Sequence, residues 1–205
     1  KRRRSDPASG TRRRRGPLDR DRLRRGARLF LAGIGETDLG RELKRTPERV
    51  ADAWSTEIVA GYRTDPARLL ATTFRAREDG MVVVSAIPFA SVCVHHLLPF
   101  RGTAHIAYLP DGRLVGLSKI ARVVDALARR LQLQERLTRQ VVECLDASLR
   151  PKGAACRMEA EHLCMTIRGA RQKESRVVTS AYTGAFTRDA ALRAEFHRMT
   201  VRHAG

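Results

Sequence analysis

Cysteine is scarce: four in 205 residues, too few to staple a chain of this length with disulfides. Reduced thiols, some of them metal ligands, suit that count better. Aromatic residues make up 5%, which leaves little material for the base-stacking surfaces that single-stranded nucleic-acid binders use. No run reaches the roughly 18–20 apolar residues needed to cross a bilayer. The longest candidate near the start, "LFLAGIG", is short and is followed by Glu36 and Asp38, so no secretory signal is expected and the chain reads as cytoplasmic. Acidic residues are also in short supply, 22 against 40 Lys and Arg, for a formal net charge of +18.

That excess is unevenly spread. Residues 1–26 hold 12 Lys or Arg and three Asp, a net of +9, half of the total. Rich in Pro, Gly and Ser and free of aromatics, this stretch is expected to be a disordered basic tail. It could bind any polyanion in a salt-dependent way, but a solvated extension with no dedicated nucleic-acid partner is the simpler expectation. An Arg-rich transit peptide is countered by Asp6, Asp19 and Asp21. The chain opens on Lys rather than Met, so its first residue need not be the native start.

The remainder, 27–205, reads as one α+β domain. A helical stretch is expected over roughly 19–61, overlapping the end of the basic tail. In "RTPERVADAWSTEIVAGY", Thr46 offers an N-cap, Pro47 a first helical position and Gly61 a stop. Val50, Trp54, Ile58 and Val59 share a face, with Trp54 as a core residue. From about 81 the pattern turns to β in "MVVVSAI" and "TAHIAYLP", with "PDGR" as a turn. Two helices follow, striped by Ile120, Val123, Val124, Leu127 and Leu131 and then by Leu137, Val141, Val142, Leu145 and Leu149, with a bend near "LQLQE". "RPKG" ends the second, and strand pattern resumes in "AACRMEAEHLCMTI" and "SRVVTSAYTGAF". The expected core is a four-stranded antiparallel sheet with two helices inserted between strands 2 and 3.

Two clusters of soft ligands interrupt this plan. "SVCVHHLLPF" places Cys93, His95 and His96 in an apolar segment, with Cys93 and His96 at a spacing that suits a turn. "EAEHLCMTI" places His162 and Cys164 two apart, on one face if the segment is a strand, roughly 7 Å apart at Cα. Thiolate and imidazole are preferred zinc ligands. Five ligands would saturate a structural site. Three ligands plus a water would make a catalytic one, with two histidines left for proton transfer.

The blocks "TPERVADAW", "CVHHLLPFRGTAHIAYLP", "GLSKIARVVDALARRLQLQERLT", "EAEHLCMTIRG" and "VVTSAYTGAF" resemble, in order, the signature blocks of GTP cyclohydrolase I. The resemblance runs from about 45 to 198 and leaves out the basic tail. It implies a tunnelling fold in which five sheets close into a barrel and two pentamers stack as a homodecamer, an arrangement that also covers sheet edges. It implies zinc held by Cys93, His96 and Cys164, activating water for attack on C8 of GTP. The implied products are formate and 7,8-dihydroneopterin triphosphate, the first step of folate and pterin biosynthesis.

The same resemblance implies roles for the remaining residues. His162 protonates N7 and His95 assists later proton transfers. Glu135 pairs with the guanine edge, and Ser118 and Gln134 sit near the ribose. Lys119, Arg122, Arg168 and, from a neighbouring subunit, Arg49 hold the triphosphate, whose roughly four negative charges call for such partners. One position departs from the family pattern: Val94 stands where Glu is usual. A carboxylate lost there alters hydrogen bonding around a histidine but removes no ligand. A specialised paralogue feeding a secondary-metabolite pterin or deazapurine pathway would read the same way. Two rival readings are another tunnelling-fold enzyme, such as a pyruvoyl-tetrahydropterin synthase-like lyase or a deazaguanine-pathway enzyme, and a non-enzymatic nucleic-acid binder with a structural zinc. The first lacks the "GLSKI" and "QERLT" blocks, and the second rests on the tail alone.

Overall fold

The computed structural model describes residues 16–75 and 77–200; most of the basic tail lies outside that range. The chain divides into two compact units, Lys1–Ser55 and Thr56–Gly205.

The first unit contains α1 (Arg20–Gly33), α2 (Gly40–Leu43) and α3 (Thr46–Ala53). Helix α1 begins inside the stretch expected to be disordered, and the reason is local. Asp19 caps it by accepting from the Arg22 N–H at 2.9 Å, and Asp21 lies in its first turn, where the helix dipole favours an acid. Ion pairs from Arg20 to Asp52 and from Arg24 to Glu48 tie α1 to α3. Thr46 is the first residue of α3 and not its cap: Arg45 holds the cap position, with no side-chain bond.

The continuous helix expected up to Gly61 is also broken. After α3 come a π-helical turn at Trp54–Ile58 and a 3₁₀ turn at Ala60–Arg63. Trp54 is half-buried and not a core residue. Gly61 works as a packing glycine: a Cβ there would sit 2.0 Å from the Ala126 carbonyl oxygen, so no larger residue fits.

The second unit continues through α4 (Pro66–Leu69), β1 (Thr73–Arg75), β2 (Val82–Cys93), β3 (Pro99–Leu109), β4 (Arg113–Val115) and α5 (Leu117–Ala128). Then come β5 (Leu131–Gln132), α6 (Gln134–Leu149), β6 (Gly153–His162), α7 (Leu163–Thr166), β7 (Val177–Tyr182), α8 (Ala185–Arg188) and α9 (Ala190–Thr200). Strands β2, β3, β6 and β7 run antiparallel in that order. The two-residue β5 adds a fifth, parallel strand on the edge of β2, pairing Val92 with Leu131 and Cys93 with Gln132. The sheet is therefore mixed, and Leu131 belongs to it and not to the α5 stripe. β1 and β4 form a separate pair.

Both helical stripes are buried. Ile120, Val123, Val124 and Leu127 of α5 and Leu137, Val141, Val142, Leu145 and Leu149 of α6 join Phe89, Phe100, Ile106, Tyr108, Cys156 and Met158 of the sheet in one core. Each such aliphatic side chain contributes about 1.5–3 kcal/mol by leaving water. α6 stops where Arg150 turns left-handed at φ 49°. The result is a rigid helix-backed sheet, with the β2–β3 turn, the start of α6 and the end of β6 around the start of β3.

Candidate metal centre and its surroundings

Cys93 closes β2 and is 6% exposed. Its N–H donates to the Leu98 carbonyl at 2.9 Å, and its own carbonyl accepts from the Leu97 N–H at 2.9 Å, so residues 94–98 form a tight turn before β3. Leu97 carries the strain of that turn at φ 56°, a left-handed conformation that costs a branched residue about 1–3 kcal/mol. The turn throws His96 back over Cys93. The next residue, Val94, is anchored by its N–H to the Gln132 carbonyl at 3.0 Å, and its side chain is 37% exposed.

The second cluster arrives from β6, two strands away and at the same end. His162 ends β6, and Cys164 lies in the helical turn α7. The expected alternation of His162 and Cys164 on one strand face is thus corrected: the backbone turns helical between them. One ligand atom from each of Cys93, His96 and Cys164 lies within 4.8 Å of the other two. His95 and His162 stand outside that triad, with His95 exposed and its ring centroid 6.2 Å from that of His96.

The donor set fits a soft divalent cation. Burial first, and then the adjacent Cys93 thiol, push the Cys164 thiol above its usual range, while Arg168 works in the opposite direction. Two thiols packed this closely resist joint ionisation, and a divalent cation removes the penalty. Two sulfurs and one imidazole make up three of the four positions of a tetrahedral zinc site.

His162 is held on several sides. Its ring stacks on Phe100 at 4.5 Å and 5°, its cross-strand partner between β3 and β6. Its Nε2 lies 2.7 Å from Gln134 Oε1. Burial depresses its pKa, and the Glu135 carboxylate partly opposes that. Gln134 is 1% exposed and lies at the first position of α6, while Glu135 beside it is exposed. Gln134 Nε2 donates to the carbonyls of Val177 at 2.9 Å and Met158 at 3.2 Å and to Thr179 Oγ1 at 3.2 Å.

Ser118 and Lys119 occupy the first turn of α5, Arg122 lies one turn on, and Arg168 follows α7. Arg49 lies on α3 in the first unit. Among the described residues, Arg49, Lys119, Arg122 and Arg168 enter no ion pair, whereas Arg129 and Arg157 are matched by Asp125 and Glu159. Phe100, Gln132, Thr138 and Thr179 were not singled out by sequence. Their contribution is contact: strand pairing brings Phe100, Gln132 and Thr179 to the site, and Thr138 lies one turn along α6 from Gln134.

The sequence model of the family described as GTP cyclohydrolase I matches residues 23–201. A "GTP cyclohydrolase 1" of Pelotomaculum thermopropionicum is 46% identical over 179 residues, covering 87% of this chain and 95% of that one. One of Dehalococcoides mccartyi is 43% identical over 190 residues, 92% of this chain and all of that one. One of Mycobacteroides abscessus is 48% identical over 180 residues, 87% of this chain and 88% of that one.

Proposed function

The chain belongs to the GTP cyclohydrolase I family, and from that premise we propose how its own residues divide the work of hydrolysing GTP at C8. It is an enzyme of the pterin and folate route. The observation that carries the assignment of residues is the convergence of Cys93, His96 and Cys164 within 4.8 Å, with His95 and His162 left outside.

Cys93, His96 and Cys164 would hold zinc, which would supply Lewis acidity for the hydrolysis at C8 of the guanine. His162 delivers a proton to N7 as the imidazole ring of the base opens, because its ring is held beside the triad by Phe100 and Gln134. His95, exposed on the turn, serves later proton transfers as formate leaves and the ribose rearranges. Glu135 accepts the paired N–H groups of the guanine edge, a geometry suited to a carboxylate. Ser118 faces the ribose side, while Gln134, which the family resemblance also sets near the ribose, bonds His162 instead. Lys119, Arg122, Arg168 and Arg49 of a neighbouring subunit are the unmatched cations that the triphosphate requires.

The assembly proposed is the tunnelling-fold homodecamer, two stacked pentameric rings, in the cytoplasm. The β7 edge of the sheet favours it, since a strand edge with no partner among the described residues invites another. Neither a membrane nor a nucleic acid enters the proposal; no described helix is long and apolar enough to cross a membrane. The reading is tested by incubating purified protein with GTP and measuring formate, 7,8-dihydroneopterin triphosphate and zinc per chain. Zinc-loaded protein that releases no formate would sink it.

A further inference from the structure

We propose that Gln134 is a positioning residue, fixing His162 with its resident proton on Nε2 so that Nδ1 is the ring nitrogen that exchanges protons with substrate. The inference rests on the proton-transfer role given to His162 above and says which atom performs it.

The argument starts from the amide. An amide can face its surroundings in two ways, and acceptors decide between them. The nitrogen end of Gln134 meets the Val177 and Met158 carbonyl oxygens at 2.9 and 3.2 Å. Both are pure acceptors. Reversing the amide would place oxygen against two carbonyl oxygens in a site where Gln134 is 1% exposed, a costly clash of acceptors. The threonines agree with this orientation. Thr138 Oγ1 donates to the backbone carbonyl of Gln134 at 2.8 Å, so Thr179 must donate across the 2.6 Å Thr138–Thr179 contact. That leaves a lone pair on Thr179 Oγ1 to accept from Gln134 Nε2 at 3.2 Å. The two N–H groups of Gln134 then share three acceptors, and no two protons collide.

With its orientation fixed, the amide presents Oε1 to His162, and a carbonyl oxygen only accepts. The His162 Nε2 at 2.7 Å therefore carries a proton, and the other ring nitrogen is bare in the neutral form. A 180° flip of the ring would keep the stack on Phe100 but put a carbon in place of Nε2 against Gln134 Oε1, so the hydrogen bond is what holds this orientation. When the imidazolium gives a proton to the base, that proton leaves Nδ1, and the neutral ring keeps Nε2–H on Gln134. A Gln134 engaged in this way has its oxygen turned to His162, not to the ribose.

The test uses zinc-loaded full-length enzyme carrying ¹⁵N-histidine, with nitrogen signals read by solid-state NMR and His162 assigned by difference from His162→Asn. The expected wild-type spectrum shows neutral His162 with a protonated Nε2 and a bare Nδ1. Gln134→Met, similar in length but without the acceptor, should give mixed tautomers and unchanged zinc. Its kcat should fall about tenfold or more, with the KM for GTP moving less than about twofold. A bare Nε2 in the wild-type spectrum overturns the proposal with no variant needed, so misfolding of Gln134→Met cannot shelter it. A raised KM with an unmoved tautomer in Gln134→Met overturns it too, in favour of a ribose contact. Wild-type enzyme that shows the Nε2–H form yet releases no formate would strike the activity and leave the tautomer assignment standing.

Discussion

Phe100 and His162 face each other across β3 and β6 as a register pair, and their rings stack at 4.5 Å with only 5° between planes. Phe100 is fully buried, so the stack is a floor that fixes where the imidazole plane lies. Phe100→Leu should cost roughly 1–3 kcal/mol, less than the approximately 3–5 of a truncation to Ala. It should also lower kcat while zinc content stays near that of the wild type. Denaturant midpoints and metal analysis on the same preparation check both halves. An unchanged kcat would show that the floor serves stability alone.

Cys164→Ala removes one of three ligands. Zinc bound to the variant is expected to fall from about one per chain to a small fraction, and turnover with it. Cys164 is only partly buried, so the fold should survive, as far-UV circular dichroism would show. Full zinc occupancy in this variant contradicts the ligand assignment.

His96 and His162 should separate cleanly. His96→Ala is expected to lose zinc. His162→Ala is expected to keep it and lose about 10²–10⁴ in rate, the usual cost of removing a general acid. Zinc content, GTP consumption and formate release measured side by side decide the matter. Zinc lost from His162→Ala and kept by His96→Ala would exchange the two roles. Part of this was legible in the sequence: spacing suggested the 93–96 turn and ligand chemistry offered five candidates, but only the family resemblance singled out Cys93, His96 and Cys164 among them. The His162–Gln134 bond was not legible, because those residues are 28 apart in sequence and meet only through the packing of α6 on β6 and β7.

Glu135→Gln should raise the KM for GTP and leave zinc untouched, because the carboxylate is assigned to the guanine and not to the metal. Glu135 is exposed in the first turn of α6, so stability should move by less than about 0.5 kcal/mol. Unaltered kinetics would reduce it to a helix-start residue. Here too the sequence was only half readable. Gln134 and Glu135 are adjacent polar residues, yet folding buries Gln134 to 1% and leaves Glu135 in solvent. Helix α9 escaped notice because Phe196 and Thr200 are its only buried residues, too few to print a stripe. β5 escaped because two residues carry no alternation at all.

Cys156 provides a pH test away from the metal. It is fully buried between the sheet and its helices, and burial alone raises its thiol far above the usual value of 9.0. The unfolded chain therefore releases this proton first as pH rises. Its contribution to stability is complete below about pH 9 and is lost progressively above it, at up to about 1.4 kcal/mol per pH unit. The Tyr108 hydroxyl and the Cys144 thiol are raised by burial as well, so they add to the same alkaline slope. Cys156→Ala should then unfold at a urea midpoint that falls less steeply between about pH 9 and 11 than that of the wild type, after a small constant loss from the missing sulfur. In the wild type the Cys156 thiol should also resist alkylation in the native zinc-free enzyme, where the partly buried Cys164 reacts. If the alkaline slopes of variant and wild type coincide, or if Cys156 is labelled as fast as Cys164, the thiol is not sealed in the core and burial is not what sets its acidity.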